Sequence, residues 1–508
     1  MDPSWKNSSI VPQTVREEAS ILIRNCAVLS SHEASGLLQQ DILVCGNRIE
    51  QMGAPETLAP PSPACVIIAG KGKLAIPGLI NAHTHSPEHV LKATMPGMPT
   101  ELWGIPFYSD FLPWSPRLTY LSALWGSLEQ LKSGTTSVLD HLWTVEGVSR
   151  KHMHAAMQAY QDIGIRATVA PFIEDQDMII ESAEQHGLHF PAHPFVDRFA
   201  GWSTLDSQLA ELEDFFAAWH QKAAGRLRCM PGPVGIQWCS TTLMAACLEL
   251  ADRYKTGIHL HALETQMQAN ILKERVGHGG IAYLQELGLL KAGTSLAHAI
   301  WLEPGDLEVL AQTQTCVIHN PISNMRLGCG RFLLEDACRY GVRIALGSDG
   351  SASNDSQDMF SVLKAAGLIH NQQEEYRRWP QAKELFALAT HGGAMALGYE
   401  SDLGVLQVGK LADIVLLDLQ TAPFIPLRDP WLHLVYCEVS RAVDTVIVDG
   451  AIVVQHRKSL LVDEEALQQE LQALCNITWP GFQAYLAQSS TISGVWAALE
   501  QLRQIYTR

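Results

Sequence analysis

Between about Lys73 and Tyr399, short runs of aliphatic and β-branched residues alternate with longer stretches of helical period, and the pattern occurs eight times. The strand candidates are 73–83, 135–140, 166–173, 227–237, 257–263, 294–300, 315–320 and 342–349, the fourth interrupted by Pro231, Gly232 and Pro233. Strict alternation of strand and helix argues for a parallel sheet. Eight units over about 330 residues predict a (β/α)8 barrel of the TIM type, with insertions.

The flanks read differently. Ile21-Leu-Ile-Arg-Asn-Cys-Ala-Val and Asp41-Ile-Leu-Val-Cys-Gly-Asn-Arg-Ile-Glu precede the barrel; strand-like runs beginning at Gly404 and Val443 follow it. Neither flank has enough strands for a core of its own, so the two are predicted to pair into one small β-sandwich beside the barrel. Beyond Asp463, Glu464-Glu-Ala-Leu-Gln-Gln-Glu-Leu has the period of a terminal helix. The expected division is therefore 1–75 and 404–460 for the two parts of the sandwich, 76–403 for the barrel and 461–508 for a helical tail.

Composition narrows the class. The 508 residues are 47% hydrophobic, enough for a large core and a smaller one without covalent staples. A formal charge of −17 argues against a nucleic-acid partner, because no basic stripe exists to neutralise phosphates. Met1-Asp-Pro-Ser-Trp-Lys-Asn-Ser lacks the basic start and apolar segment of a secretory leader, and no run of about 18 apolar residues marks a membrane span, so the expectation is a cytoplasmic protein with no membrane partner. The eleven cysteines are scattered, odd in number and never spaced Cys-x2-Cys, which signals neither a disulfide framework nor a zinc ribbon.

In a barrel of this kind the chemistry gathers where the strands end, because the loops from all eight units meet there. Polar residues fall at those ends. His83-Thr-His85 closes strand one, and residues two apart on a strand share a face, roughly 6–7 Å apart along it, so both rings can converge on one ion. His261 ends strand five with Glu264 three residues on, His298 ends strand six, and Asp349 ends strand eight. Three histidines and a carboxylate suit a divalent ion such as Zn2+, with Fe2+ or Mn2+ as alternatives. Such an ion lowers the pKa of a bound water to about 7 and so supplies a hydroxide nucleophile. In this reading Asp349 both holds the ion and accepts the water's proton, Glu264 passes a proton to the substrate nitrogen and then to the leaving group, and His298 orients the nucleophile or stabilises developing negative charge.

The motifs Pro77-Gly-Leu-Ile-Asn-Ala-His83-Thr-His85, His261-Ala-Leu-Glu264-Thr, Ala297-His298, His319-Asn-Pro-Ile-Ser-Asn324 and Leu346-Gly-Ser-Asp349-Gly-Ser-Ala-Ser-Asn354 resemble the amidohydrolase superfamily. The likeness covers about residues 20–455 and is greatest to the branch of chlorohydrolases and aminohydrolases that includes triazine hydrolases, guanine deaminases and S-adenosylhomocysteine deaminases. It implies His83, His85, His261 and Asp349 as metal ligands, Glu264 and His298 as acid/base and electrostatic residues, a small-molecule substrate and a homodimer. Relatives with two ions use a strand-four lysine as a bridge; Leu227-Arg-Cys-Met-Pro-Gly-Pro-Val-Gly-Ile-Gln-Trp has none, which implies one ion.

The sequence departs from the family where substrate is gripped. Where several deaminase relatives place His-Ser-Pro after strand four, this chain has Gln237-Trp-Cys-Ser, and Gln237 becomes the candidate substrate contact. Where some relatives use arginines near strand three, this chain reads Phe172-Ile-Glu174-Asp175-Gln-Asp177, which makes Glu174 and Asp175 candidate contacts for a cationic amidine or guanidine. Two residues carry double readings: Trp103, in the aromatic loop Glu101–Trp114, either packs that loop or lids the site, and Asn324 either contacts substrate or makes a turn. His259 reads as lying one layer below the ligands, and His141 and His319 stay unassigned; Cys239 reads as pocket wall and not nucleophile. The activity expected is metal-dependent hydrolysis at an sp2 carbon bearing nitrogens, in an amidine-like or N-heterocyclic substrate. The alternatives are hydrolysis or cyclisation of a guanidino or ureido intermediate of specialised metabolism, by analogy with uracil-ring formation in cylindrospermopsin-like alkaloids, and a catalytically silent scaffold.

Overall fold

The computed structural model describes residues 10–11, 20–29, 36–108, 114–371, 375–437 and 439–507. The N-terminal octapeptide read above for a leader, and residues 109–113 of the aromatic loop, lie outside the described residues.

Eight parallel strand segments form the barrel in two arcs. The first arc is Leu79–Thr84, Thr135–Leu142, Arg166–Ile173 and a short fourth strand made of Leu227–Cys229 and Gly232–Pro233. The second is Ile258–Ala262, Thr294–His298, Cys316–His319 and Arg343–Leu346. Pro231 and Pro233 have no N–H to donate, which is why strand four is broken, yet its carbonyls still bind the next arc. The His259 N–H donates to Pro231 O at 3.1 Å and the His261 N–H to Val234 O at 3.1 Å. At the other seam the Asp349 N–H donates to His83 O at 2.9 Å, joining strand eight back to strand one. Both seams run through residues of the His/Asp set, so closing the barrel is also what gathers that set.

The run 73–83, read as one strand, is two. Lys73–Pro77 pairs with Ile414–Asp418 and with Ile21–Leu29 in the flanking sheet, and Leu79–Thr84 begins the barrel. The break falls at Pro77-Gly78: proline lacks the donor, and a side chain at Gly78 would meet the Thr136 hydroxyl at 2.0 Å. Strands from the two chain ends share one nine-stranded sheet, with its own core of residues such as Ile23, Ile42, Ile414, Leu416 and Ile447. Arg166, at the foot of strand three, ties sheet to barrel by bidentate bonds to Asp413 (3.0 and 2.9 Å) and a third bond to Asp449 (3.1 Å).

The tail is two helices, not one. Glu464–Gln488 ends at Ser489, whose hydroxyl accepts from the Ile492 N–H at 3.1 Å and so starts Ser490–Tyr506. The second helix lies over the barrel mouth, where the Trp496 indole N–H donates to Leu102 O at 2.8 Å. Among the described residues no helix is long and apolar enough to cross a membrane.

Strands five and six approach each other closely just before they begin. A β-carbon at Gly257 would lie 1.8 Å from Gly293 O, a backbone atom that cannot swing aside. Gly257→Ala is therefore expected to cost at least the 1–3 kcal/mol typical of overpacking, roughly, read as a lower urea midpoint at unchanged slope.

Candidate metal centre and substrate cavity

His83, His85, His261, His298 and Asp349 meet at the C-terminal mouth of the barrel, all buried. Asp349 Oδ1 lies 3.1 Å from His85 Nε2 and 3.5 Å from His83 Nε2, and its Oδ2 lies 3.9 Å from His298 Nε2. The His83 and His261 ring centroids are 5.0 Å apart. The backbone supports this convergence at some expense: Leu263, His298 and Asp349 take left-handed φ values of 49°, 73° and 64°. Such conformations cost on the order of 1–3 kcal/mol each in a non-glycine residue and persist where the surroundings over-determine them. Here the Ala299 N–H bonds Ala262 O at 2.9 Å and the Ile300 N–H bonds Leu263 O at 3.1 Å, which fixes the turns after strands five and six.

Each imidazole is held from behind. His85 Nδ1 donates to His141 O and His261 Nδ1 to Val234 O, both at 2.7 Å, leaving Nε2 as the free lone pair on each ring. His83 Nδ1 pairs with His259 Nε2 at 2.8 Å, and His259 Nδ1 in turn with the Ser295 hydroxyl at 2.7 Å, so His259 stands one layer behind the ligands. His298 Nδ1 donates to Asn324 Oδ1 at 2.8 Å. Asn324 thus meets His298 and does not line the cavity.

The donor set fits a divalent cation. His83 Nε2 is buried with no hydrogen-bond partner. Burial pushes the His83 imidazole down to about 4. Burial, then repulsion from neighbouring rings, holds His261 and His259 well below the usual range, so these rings are neutral, as ligands must be. Burial acts on His85 too, but the Asp349 carboxylate, with Glu88 near it, outweighs it and lifts His85 to about 9. Burial opposes the charge on Asp349, yet the adjacent His83 and His85 rings hold its carboxyl well below the carboxylate range.

A cavity of about 180 Å³ opens from this cluster, bordered by His85, His261, His298 and Asp349. Its walls are mainly aromatic and aliphatic: Trp103, Phe107, Tyr108, Trp143, Phe172 and Trp238. Leu499 comes from the tail helix. Glu264 is on the wall, immediately before Thr265, whose hydroxyl accepts from the Gln268 N–H at 3.2 Å and caps helix Gln266–Val276.

The substrate-contact candidates divide. Trp103 and Glu174 border the cavity; Gln237 and Asp175 do not. Trp238 takes the wall position beside Gln237, and the Asp175 carboxylate instead accepts from the Ser240 N–H at 2.7 Å and its hydroxyl at 2.5 Å. Glu174 is not an open anion: Arg198 binds it at 2.9 and 3.3 Å and binds Asp177 at 2.7 Å. Arg198 opens the short 3-10 helix Arg198–Gly201, 24 residues beyond Glu174, and nothing in the local sequence marks the pairing.

One further group, Glu88, stands apart from the reading of the sequence. Glu88, three residues past His85, borders the cavity, accepts from the Trp143 indole at 3.1 Å, and is pushed by burial up to about 7. Asp140 is taken up by the Ser86 N–H and hydroxyl and by the Tyr160 hydroxyl, while its neighbour His141 packs on His261 with ring centroids 4.8 Å apart. His319 pairs with His370 at 3.1 Å. Cys239 is buried with its thiol pushed up by burial, and its S–H donates to Ile173 O at 3.3 Å.

A parallel barrel that gathers the imidazoles of His83, His85, His261 and His298 and the carboxylate of Asp349 at the floor of a largely apolar cavity is built as a metal-dependent hydrolase. The chain belongs to the amidohydrolase family, whose model matches residues 74–453. It is 32% identical over 458 residues to a 5-methylthioadenosine/S-adenosylhomocysteine deaminase of Caldanaerobacter subterraneus, covering 89% of this chain and 97% of the relative. It is 32% identical over 461 residues to a 5'-deoxyadenosine deaminase of Methanothermobacter thermautotrophicus, covering 90% and 98%. The fold superimposes on the zinc complex of an atrazine chlorohydrolase of Arthrobacter aurescens with TM-score 0.79 and 26% identity, over 89% of this chain and 99% of that one. The protein is a metal-dependent hydrolase acting on carbon–nitrogen bonds other than peptide bonds.

Proposed function

We propose that this enzyme deaminates a planar N-heterocycle, replacing an exocyclic amine on a ring amidine carbon with oxygen and releasing ammonia. One Zn2+ ion would be held by His83, His85, His261 and Asp349. The observation that carries the reading is that Glu264, His298 and Asp349 border one aromatic-walled cavity together with His85 and His261. The relatives named above as deaminases of adenosine derivatives support the choice of leaving group.

When bound, the ion supplies a Lewis acid that makes water nucleophilic at neutral pH. The chain's residues do the rest. Asp349 takes the proton that the attacking water gives up. Glu264 passes that proton on to a ring nitrogen as the tetrahedral carbon forms, then carries the remaining hydroxyl proton to the departing amine as the carbon–oxygen double bond forms and the carbon–nitrogen bond breaks. His298, with Nδ1 fixed by Asn324, turns its Nε2 side toward the developing negative charge. Trp103, Phe107 and Trp143 exclude water and offer flat faces to a flat substrate. The acidic stretch after strand three, which motivated a guanidino substrate, is paired with Arg198 and lends that alternative no support.

Ammonia release from zinc-loaded protein, screened over adenosine derivatives, aminotriazines, pterins, aminopyrimidines and guanidino compounds, tests the reading. Amino-heterocycles are expected to react and guanidino compounds to be inert; the reverse order would overturn it. A homodimer, with the barrel mouth formed within each chain, is the assembly we propose, and sedimentation at twice the chain mass checks it.

A further inference from the structure

Three polar side chains from distant parts of the chain close a triangle at the cavity wall. The Thr100 hydroxyl donates to Glu264 Oε1 at 3.1 Å, the Cys329 thiol donates to the same oxygen at 3.2 Å, and Thr100 Oγ1 and Cys329 Sγ are 3.0 Å apart. Cys329 is 2% exposed and Glu264 5%. Burial, then the adjacent carboxylate, pushes the Cys329 thiol well up, so it stays protonated and keeps its donor. The other carboxylate oxygen has only a long contact, 3.4 Å from the Gln268 amide.

From this geometry we infer that Thr100 and Cys329 are positioning residues for Glu264: together they fix Oε1 and leave Oε2 as the oxygen that takes and gives the proton. The inference rests on the acid/base role proposed for Glu264. Two donors on one oxygen fix the carboxylate's rotamer and hold its charge on a defined side, which a single donor would not do. Thr100 opens the short helix Thr100–Trp103, and Cys329 follows the turn after helix Pro321–Arg326. The carboxylate is therefore held between the lid segment and the loop beyond strand seven, and its orientation depends on both being in place.

Two readouts test this. The first needs no substrate. The S–H stretching band of Cys329, identified by subtracting the infrared spectrum of Cys329→Ser, is expected to move to higher frequency in Glu264→Ala, because the thiol loses its acceptor; an unchanged band would overturn the proposal. The second is kinetic. Cys329→Ala is expected to lower kcat about tenfold, the loss of a hydrogen bond to a charged group, with KM and metal content unchanged, and Cys329→Ser to restore most of it. A Cys329→Ala enzyme with the parent kcat, beside an inactive Glu264→Gln, would overturn the positioning role alone. Full activity in Glu264→Gln would instead remove the role of Glu264 itself.

Discussion

His261→Ala is expected to leave the protein unable to retain its divalent ion, and therefore without measurable turnover, whereas Glu264→Gln keeps the ion and loses roughly 10²–10⁴ in kcat, the usual contribution of a positioned acid/base. The contrast follows from what each side chain faces. His261 contributes a neutral Nε2 from a ring whose Nδ1 is tied to Val234 O, so deleting it removes one of four donors with nothing placed to substitute. Glu264 accepts from Thr100, Cys329 and Gln268, which an amide of the same shape can still partly satisfy, but the amide cannot carry a proton between atoms. Metal content by elemental analysis, set beside kcat for each variant, separates the two. Equal metal loss in both would show that Glu264 belongs to the ligand set.

Arg166→Ala is expected to cost about 3–5 kcal/mol of stability, the largest effect foreseen away from the active centre. Arg166 is 1% exposed on its side chain, and its removal leaves the buried Asp413, also near-completely covered, and Asp449 without their cation. The guanidinium also lies 5.1 Å from the centre of the Tyr399 ring, which Arg228 covers at 3.5 Å. Because much of the loss is an unpaired buried charge and not a lost attraction, the double variant Arg166→Met, Asp413→Leu should be less unstable than Arg166→Ala alone. Urea denaturation of both variants checks this; a double variant worse than the single one would show that packing dominates. The expected consequence for function is indirect, since loosening the sheet from the foot of strand three leaves the ligands at the opposite end of the barrel intact.

The eight-unit alternation was legible in the sequence because parallel strands are covered on both faces and read as unbroken apolar runs between helices. His83-Thr-His85, His261 with Glu264, and Asp349 were legible for a different reason: each stands where an apolar run stops, so strand ends alone bring them to one mouth. What was not legible depends on contacts between distant segments. Gly78 splits the run 73–83 because Thr136, on another strand, leaves no room for a side chain. Arg198 neutralises Glu174 and Asp177 from a short 3-10 helix, Arg198–Gly201, whose placement no local pattern fixes. Cys329 reaches Glu264 across 65 residues of sequence and Thr100 reaches it across 164. Leu499 enters the cavity from a tail beyond the family's matched span, which ends at residue 453.

The most direct test of the central claim is ammonia release by one preparation of the protein, measured as isolated, after removal of metal by a chelator, and after adding back one equivalent of Zn2+. The expected result is close to one ion per chain at isolation, deamination of an amino-heterocycle that disappears with the ion, and recovery of that activity at one equivalent. Activity that survives complete removal of metal, or a fully loaded protein that releases ammonia from no amino-heterocycle, would contradict it.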